Sequence, residues 1–275
     1  MSMTYAEKYS PFVDEAFALG SLTDALFGNA YDFIGVETVK VFSYPTATMN
    51  DYKTTGTDRY GTPEDLANEV QEMKLSKDRA FTVIVDKKDN TDTEFTADGA
   101  IVLARQVRDV IIPEVDTYRI NSLVSAAQEA NIITGTVSKD NAYELFLTAQ
   151  AAVSDAKTPI GGRVAIITPA FYSYIKLDPS FTKYGDKATD IALNGQVGWI
   201  DSVPIIVAPK TYFPDGVSVV ITHPEAGVSP IKLAEYKVHD DAPGISGWLV
   251  EGRVRYDAFV LNKKVGAIGV VKASA

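Results

Sequence analysis

The chain has 275 residues and a formal net charge of −10, with 46% hydrophobic residues and no cysteine. This apolar content supplies a packed core, so an intrinsically disordered chain is excluded. The lack of cysteine excludes disulfides, thiolate metal sites and cysteine nucleophiles, and the acidic balance disfavours specific binding to a phosphate backbone.

The first 34 residues mix aromatic and polar side chains, Phe12 and Phe17 among them. They lack the basic start and apolar run of a signal peptide. No run of about 18 apolar residues occurs in the sequence, so no transmembrane helix is expected. Two interpretations of this segment stay open: an arm that lies on other surfaces, or a short helix on the parent core, which composition slightly favours.

Residues 35–86 predict a long hairpin. The stretch 35–44, GVETVKVFSY, is rich in β-branched and aromatic residues, and AFTVIVD at 80–86 alternates as a strand does. Between them, 45–65 has two glycines, two prolines and no core-forming pattern, and such a loop in a compact domain is usually functional or disordered. Residues 66–79 fit either a helix or a strand. We favour a strand that returns from a polar tip and completes the hairpin.

The apolar residues from Leu103 to Leu123 recur mostly every three or four positions and predict one long helix with one buried face. Charged residues, Asp116 and Arg119 among them, are placed on the other side. Counted from Thr96 to Gln128, this helix would span roughly 50 Å at ~1.5 Å per residue. A candidate capping box, residues 91 and 94 (Thr and Glu), precedes it.

Pro113 lies in the middle of this predicted helix. A proline there removes one backbone hydrogen bond and clashes with the preceding turn, at a cost of ~3 kcal/mol. We therefore expect a bend near the middle of the helix.

The second half of the chain has a different pattern of predicted elements. From 132 to about 222, helical and apolar strand patterns alternate, with Asn141 and Thr168 as candidate N-caps, which indicates a separate α/β unit. From Pro230 the chain predicts strands again, and we expect these to return to the first unit. The domain organisation is therefore nested.

Residue types that carry catalysis are sparse. His223 and His239 are the only histidines and have no metal-ligand spacing, and no nucleophile elbow, P-loop or dinucleotide-binding fingerprint occurs. Carboxylates are numerous, but nothing singles out an acid–base pair. We expect no catalytic residue, no cofactor and no metal site. Trp199 and Trp248 are predicted to fill the core or an interface.

Two segments stand out, PEVDTYR at 113–119 and RYDAF at 255–259. They belong to a chain ordered as arm, polar hairpin, long helix, inserted α/β unit and terminal strands. In the order of its segments and in these stretches of sequence, nearly the whole chain resembles the major capsid proteins of tailed bacteriophages, which have the Hong Kong 97-type fold. The resemblance implies an α+β class.

The resemblance also assigns a domain to each part of the chain. The inserted axial domain of that family gathers around five-fold and six-fold centres, and the peripheral domain carries a spine helix, here 94–130. The resemblance implies an N-terminal arm at 1–34. It implies strands and an extended hairpin, called the E-loop, at 35–86, with the tip of the hairpin at 45–65. The peripheral domain would comprise 87–131 and 231–275, and the axial domain 132–230.

By resemblance the function is structural and not enzymatic. The chain would self-assemble in the host bacterial cytoplasm into the icosahedral shell of the virion of a tailed double-stranded DNA phage. Expected partners are copies of itself in pentamers and hexamers, a separate scaffolding protein, a portal, a decoration protein and non-specifically packaged DNA, with no membrane. The candidate inter-subunit contacts are Tyr52, Lys53, Arg59 and Tyr60 on the tip and Phe12 and Phe17 in the arm.

Two details of the family bear on single residues. Pro113 would set the shape of the spine helix and thus the packing of a thin, L-shaped subunit. Some relatives cross-link their shells by a lysine–asparagine isopeptide bond helped by a glutamate. Lys53 and Asn262 have the right types, but no local motif supports this pair, so we expect non-covalent contacts.

Two alternatives stay open at this point. The first is an encapsulin nanocompartment shell of the same fold, in which a helix replaces the arm and creates a cargo site; Phe12, Phe17 and Leu19 would serve there. The second is a carboxylate-dependent hydrolase, which predicts a monomer or dimer with a cleft.

Overall fold

The computed structural model describes residues 20–28, 31, 38–44, 46–62, 65, 68–88, 99–177, 196–240 and 242–274. The predicted capping box, the predicted helix start at Thr96 and the arm residues Phe12, Phe17 and Leu19 lie outside these residues.

The strands of the described residues form four sheets. The first two strands make a hairpin, β1 (Thr38–Ser43) and β2 (Glu69–Lys74). A three-stranded sheet contains β3 (Lys77–Asp86), β10 (Ile231–Asp240) and β11 (Gly247–Tyr256), with β11 in the centre. A six-stranded sheet has the order β4-β13-β8-β5-β7-β6, and its strands are β4 (Ile132–Thr134), β5 (Val164–Ile167), β6 (Gln196–Ile200), β7 (Val203–Val207), β8 (Val217–Thr222) and β13 (Gly269–Lys272). The last pair is β9 (Gly227–Val228) with β12 (Phe259–Val260).

Four α-helices are described, α1 (Gly99–Gln106), α2 (Ile112–Ala126), α3 (Ala142–Asp155) and α4 (Pro169–Leu177). Thr168 caps α4 as predicted, because its Oγ1 accepts a hydrogen bond from the backbone N–H of Phe171 at 3.4 Å. Asn141 stands at the start of α3 without a side-chain cap. Its Oδ1 instead accepts from Ser138 N and Oγ at 2.8 and 2.9 Å.

The predicted long helix is continuous from Gly99 to Ala126 and includes a π turn just before Pro113. α1 passes into this five-residue turn, Val107–Ile111, and then into α2. Pro113 has no N–H to donate, and in a regular α-helix its ring would collide with the carbonyl four residues earlier. The wider spacing of a π turn therefore accommodates the proline without ending the helix.

The six-stranded sheet is covered on both faces. On one face α3 and α4 bury Phe146 and Phe171 against the strands. On the other face α2 and the segment 20–27 bury Leu26, Ile120 and Leu123. Because both faces are covered, the strands are apolar on both sides, as the short runs VAII and VSVVIT indicate.

The C-terminal strand differs from its prediction. β10 and β11 return to the first unit and pair with β3. β13 instead lies inside the six-stranded sheet, parallel to β4 and antiparallel to β8. The residues Gly269, Val270 and Val271 are all buried, which is the pattern of a central strand. The exact domain boundaries stay predictions.

The prediction that Asp116 and Arg119 lie on the solvent side of the long helix is wrong. Asp116 is fully buried and Arg119 is 5% exposed. Asp116 and Arg119 share a helical face with the buried Ile120 and Leu123, and the segment 20–27 packs against that face. Leu22 and Leu26 of that segment join the core.

Asp116 binds the segment 20–27 through three donors. Its carboxylate accepts hydrogen bonds from Ser21 Oγ and the backbone N–H of Leu22, both at 2.9 Å, and from Thr23 Oγ1. A buried carboxylate is stable only when it is hydrogen-bonded and paired. The three donors and the nearby guanidinium of Arg119, at 3.9 Å, meet that requirement.

Arg119 joins the same segment to the chain beyond β9. Its Nη1 donates to Asp24 Oδ1 at 2.6 Å and to Thr23 Oγ1 at 3.1 Å. Its Nε donates to Ser229 Oγ at 2.7 Å, and the guanidinium lies 5.8 Å from the ring centroid of Phe27. The segment, the helix and the Ser229 turn are therefore fixed at one point.

The two sequence segments that carried the resemblance touch each other. Tyr256 Oη donates to Glu114 Oε1 at 2.9 Å, and Tyr118 Oη donates to Asp257 Oδ1 at 2.7 Å. The two tyrosine rings meet edge to face with centroids 5.6 Å apart. Asp257 also accepts from the backbone N–H of Ser76 at 2.7 Å. This interlock joins the helix, the three-stranded sheet and the end of the hairpin.

Burial and the neighbouring carboxylates raise the pKa of both tyrosines. For Tyr256, burial is the larger cause and the hydrogen bond to Glu114 adds to it. For Tyr118, burial again comes first and the hydrogen bond to Asp257 follows. Each phenol donates to a carboxylate, so the neutral form is favoured.

We expect stability to fall in alkali because of these tyrosines. The folded state holds both protons above the ordinary tyrosine pKa of 10.0, so their contribution is complete below that pH and is lost as the pH rises through the folded-state values. Denaturant unfolding of the unassembled chain at a series of pH values measures it. The double variant Tyr118→Phe/Tyr256→Phe should lose less stability on going above pH 10 than the unchanged chain does. The exposed Tyr174→Phe is the control, and an equal decline in all three chains contradicts the assignment.

Removing the carboxylate of Asp116 should destabilise the fold strongly. Asp116→Ala leaves the buried Arg119 without its nearest buried carboxylate and three donors without their acceptor, a loss of ~3–5 kcal/mol in the free energy of unfolding. Denaturant unfolding of the unassembled chain measures this. The control is Asp140→Ala, whose side chain is 73% exposed and whose loss should cost below about 1 kcal/mol. Equal effects of the two substitutions would show that the buried cluster contributes no net stability.

Candidate inter-subunit surface

The tip of the hairpin is exposed to solvent throughout its described residues. The described residues from 46 to 60 are all exposed, and Met49 and Tyr60 are 94% and 85% accessible. The rings of Tyr52 and Tyr60 pack edge to face with centroids 5.2 Å apart. The tip therefore makes contacts within itself and is not buried against the described part of its own body.

Backbone contacts bring the predicted tip residues together. The N–H of Lys53 donates to Arg59 O at 3.0 Å, and Arg59 Nε donates to Gly56 O at 3.1 Å. Gly56 has φ of +95°, a conformation that residues with a side chain rarely adopt. Tyr52, Lys53, Arg59 and Tyr60 thus form one compact exposed turn. The other two candidates, in the arm, lie outside the described residues.

A second exposed apolar group lies on the hairpin and was not predicted from the sequence. Phe42 lies directly opposite Val70 in the β1–β2 register, and they are 56% and 49% exposed. Tyr44 follows on the same side of β1 and is 62% exposed. The signal was available, because Val39 and Val41 alternate with Phe42 and so place apolar residues on both faces of the strand.

The opposite face of the hairpin packs on the body. Met73 and Leu75 are buried against Val228 and Leu261, with Val39 at the margin. A two-stranded hairpin is marginally stable by itself in water. This small cluster therefore holds the base of the hairpin, while the distal half has no apolar support among the described residues of its own chain.

Polar contacts complete the base. Gln71 donates from Nε2 to Val260 O at 2.8 Å and accepts at Oε1 from the backbone N–H of Asn262 at 2.9 Å. Lys263 pairs with Glu69, and this hydrogen bond and charge lower the pKa of the Glu69 carboxyl. The projection of the hairpin is thus fixed where it leaves the body.

The two residues with the types needed for an isopeptide bond are both exposed. Lys53 lies on the tip and Asn262 lies beside the base. A bond of this kind joins two copies, so one chain does not test it, and the expectation of non-covalent contacts stays a prediction.

The described residues contain no group of three histidine, aspartate or glutamate side chains that could hold a metal ion. His223 accepts at Nδ1 from the backbone N–H of Glu225 at 3.3 Å, and His239 lies 3.2 Å from Glu251 on an exposed sheet surface. Trp199 is 59% exposed. The prediction that it fills the core is therefore wrong, and a place at an interface stays a prediction. No helix among these residues has the length and hydropathy needed to cross a membrane.

Neither a family model nor a curated protein matches the sequence. Solved structures match over almost the full length. The chain is similar to a structure from Mycobacterium phage Che8, with 17% identity, a TM-score of 0.77 and 98% of each chain covered. It is similar to the mature capsid of bacteriophage PhiM1, with 12% identity, a TM-score of 0.74 and coverage of 98% of this chain and 92% of that one.

The capsid structure of cyanophage P-SCSP1u gives the same result, with 10% identity, a TM-score of 0.72 and coverage of 98% and 93%. All three matches cover 98% of this chain and more than 90% of the other chain. At such low identity this is an agreement of backbone fold. The α+β class and the Hong Kong 97-type capsid fold predicted from the sequence are therefore confirmed.

Proposed function

We propose that this chain is the major capsid protein of a tailed double-stranded DNA bacteriophage, with a structural and not an enzymatic role. The observation that supports this most strongly is the match over 98% of this chain to structures that include two phage capsids. The second support is the exposed hairpin, whose distal half has no apolar cover among the residues that the structure describes.

The physics of assembly fits these features. Burying apolar surface contributes about 25 cal/mol per Å², and large aromatic side chains such as Tyr52, Tyr60 and Phe42 offer much of it on the hairpin. Each contact between copies is modest, but a closed shell engages several on every subunit at once, which multiplies their effect. The exposed groups therefore become buried on assembly.

In this proposal the hairpin is the E-loop, the helix from Gly99 to Ala126 is the spine, and 132–230 with β13 forms the axial domain. Copies gather in pentamers and hexamers of the virion shell. A separate scaffolding protein, a portal and a decoration protein belong to the proposal as partners. The net charge of −10 suits a wall that does not bind packaged DNA tightly.

Electron microscopy and sedimentation of the purified chain test the proposal. We expect closed shells, with the scaffolding protein co-expressed where the chain alone does not close. A denaturing gel of these shells should give a single 29.8 kDa band. A chain that stays monomeric or dimeric under both conditions contradicts the proposal.

The tip should be required for assembly and not for folding. Tyr52→Ser/Tyr60→Ser removes two exposed rings, so the unassembled chain should keep its stability to within about 0.5 kcal/mol while shell yield collapses. The matched control is Tyr52→Phe/Tyr60→Phe, which keeps both rings and should assemble. Sedimentation of both variants beside the unchanged chain measures the yield, and normal shells from the serine variant refute a role for the tip.

We further propose that Pro113 sets the shape of the spine. Pro113→Ala restores an N–H that can donate within the helix, so the π turn at 107–111 is free to relax to an α-helical turn and change the relation of α1 to α2. Misshapen particles or a reduced shell yield are expected under the electron microscope. Normal shells at normal yield remove this role.

A further inference from the structure

An open cleft lies where three parts of the fold meet, the middle of the long helix, the start of β3 and the helical turn that follows β7. Its volume is about 510 Å³, within the range of ~300–1,000 Å³ that is typical of ligand sites. Pro113, Thr117 and Asn121 follow one another every four residues along the helix and form one wall. Lys77 and Thr211 line the cleft from the other two elements.

The polar side chains of this cleft have no partner in the described part of the chain. The side chains of Thr117, Asn121 and Thr211 make no hydrogen bond with any described residue. The ammonium of Lys77 makes no ion pair with those residues and lies 5.1 Å from the ring centroid of Tyr118. Polar groups that converge in a cleft without partners of their own are the groups that orient a ligand. The arrangement therefore predicts a binding site.

The charges of the cleft favour a carboxylate. Arg79 pairs with Glu114 at 2.8 Å, so these two charges compensate each other. The ammonium of Lys77 is left as a local positive charge in a chain whose formal net charge is −10. An ammonium pairs with a carboxylate, and the side-chain amide of Asn121 can both donate to and accept from a peptide backbone. This chemistry suits an extended, acidic peptide segment.

The segment 20–27 brings the N-terminal part of the chain beside this cleft. The backbone N–H of Leu22 donates to Asp116 at 2.9 Å, and Asp116 immediately precedes Thr117 of the cleft wall. Tyr212 also lines the cleft. Burial chiefly raises the pKa of Tyr212, and the nearby charge of Asp116 adds to this. The carboxylate that holds Leu22 therefore lies close to the cleft.

The direction of this segment leads the preceding residues along the cleft. Ser21 binds Asp116, and Asp24 binds Arg119 about one helical turn further on. The segment therefore runs toward the C-terminal end of the helix. The residues before Ser21 then lead back toward Pro113, which stands at the N-terminal end of the cleft wall.

Asp14 and Glu15 are the nearest carboxylates before the segment. The five residues from Glu15 to Gly20 span up to roughly 17 Å when extended. This length exceeds the ~12 Å that separates Pro113 from Asn121 along the helix axis. The chain is therefore long enough to bring these carboxylates to any part of the cleft.

We propose that Asp14 and Glu15 bind in this cleft of their own chain, with Lys77 as the paired cation. Asn121 then hydrogen-bonds the backbone beside them. The contact lies within one chain, so it does not depend on the proposed shell. It adds a second anchor for the N-terminal part of the chain. Phe12 precedes this anchor and can still contact a second copy in the assembled particle.

Carbodiimide coupling of the purified, unassembled chain tests this contact. The reagent activates a carboxyl group, the amine of Lys77 attacks it, and an amide forms while the carboxyl oxygen leaves with the reagent as a urea. A digest of the monomer band is then analysed by mass spectrometry. We expect a peptide that joins Lys77 to Asp14 or Glu15.

An equal mixture of unlabelled and isotope-labelled chains shows whether the link lies within one chain. In that case every cross-linked peptide is either fully unlabelled or fully labelled. A link of mixed labels, a Lys77 amine joined only to other carboxylates, or no link at all overturns the proposal. None of these results bears on whether the chain forms shells.

Hydrogen exchange of the same unassembled chain gives an independent measurement. Lys77→Gln should speed the exchange of the amides at 14–20 about fivefold, which corresponds to ~1 kcal/mol, while peptides from β8 keep their rates and show that the fold is intact. Lys77→Arg keeps the positive charge and should keep the slower exchange. The matched control is Lys139→Gln, an exposed lysine whose side chain is 64% accessible, which should leave the exchange unchanged. Equal exchange at 14–20 in Lys77→Gln and Lys139→Gln overturns the proposal.

Discussion

Residues 114–119 of the long helix make the contacts that join the main parts of the subunit. On one side of this stretch Glu114 and Tyr118 interlock with Tyr256, the last residue of β11, and with the following Asp257. On the other side Asp116 and its partners fix the segment 20–27. Because breaking a buried, hydrogen-bonded charge pair is costly, these contacts keep sheet, helix and arm in one relation. The hairpin ends beside this point, where the backbone N–H of Ser76 donates to Asp257, so the same interlock fixes the direction in which the hairpin leaves the body.

Much of this fold could be predicted from the sequence, because local patterns determine it. The period-2 and helical spacings located the hairpin, the helix and the apolar strands. What could not be predicted depended on distant pairing. The burial of Asp116 follows from a segment about 95 residues earlier, and the place of β13 follows from partners far back in the chain. The π turn before Pro113 is a structural solution that a helical pattern does not specify.

The surface was predicted in the same uneven way. Tyr52, Lys53, Arg59 and Tyr60 are exposed together on the tip because that stretch had no core-forming pattern. Phe42 and Val70 were missed, since an apolar residue in a strand is ordinarily assigned to the core. Their exposure becomes visible only from the register of β1 with β2. Neighbouring exposed apolar groups of this kind are typical of a surface that contacts another molecule.

In the proposed shell, the hairpin that is exposed on one chain is buried by a second copy. A reconstruction of the assembled particle by electron cryo-microscopy tests it most directly. We expect closed shells in which residues 46–62 lie against a neighbouring copy and Tyr52 and Tyr60 lose most of their solvent exposure. Shells in which the hairpin still projects freely into solvent, or a chain that forms only small oligomers, would contradict it.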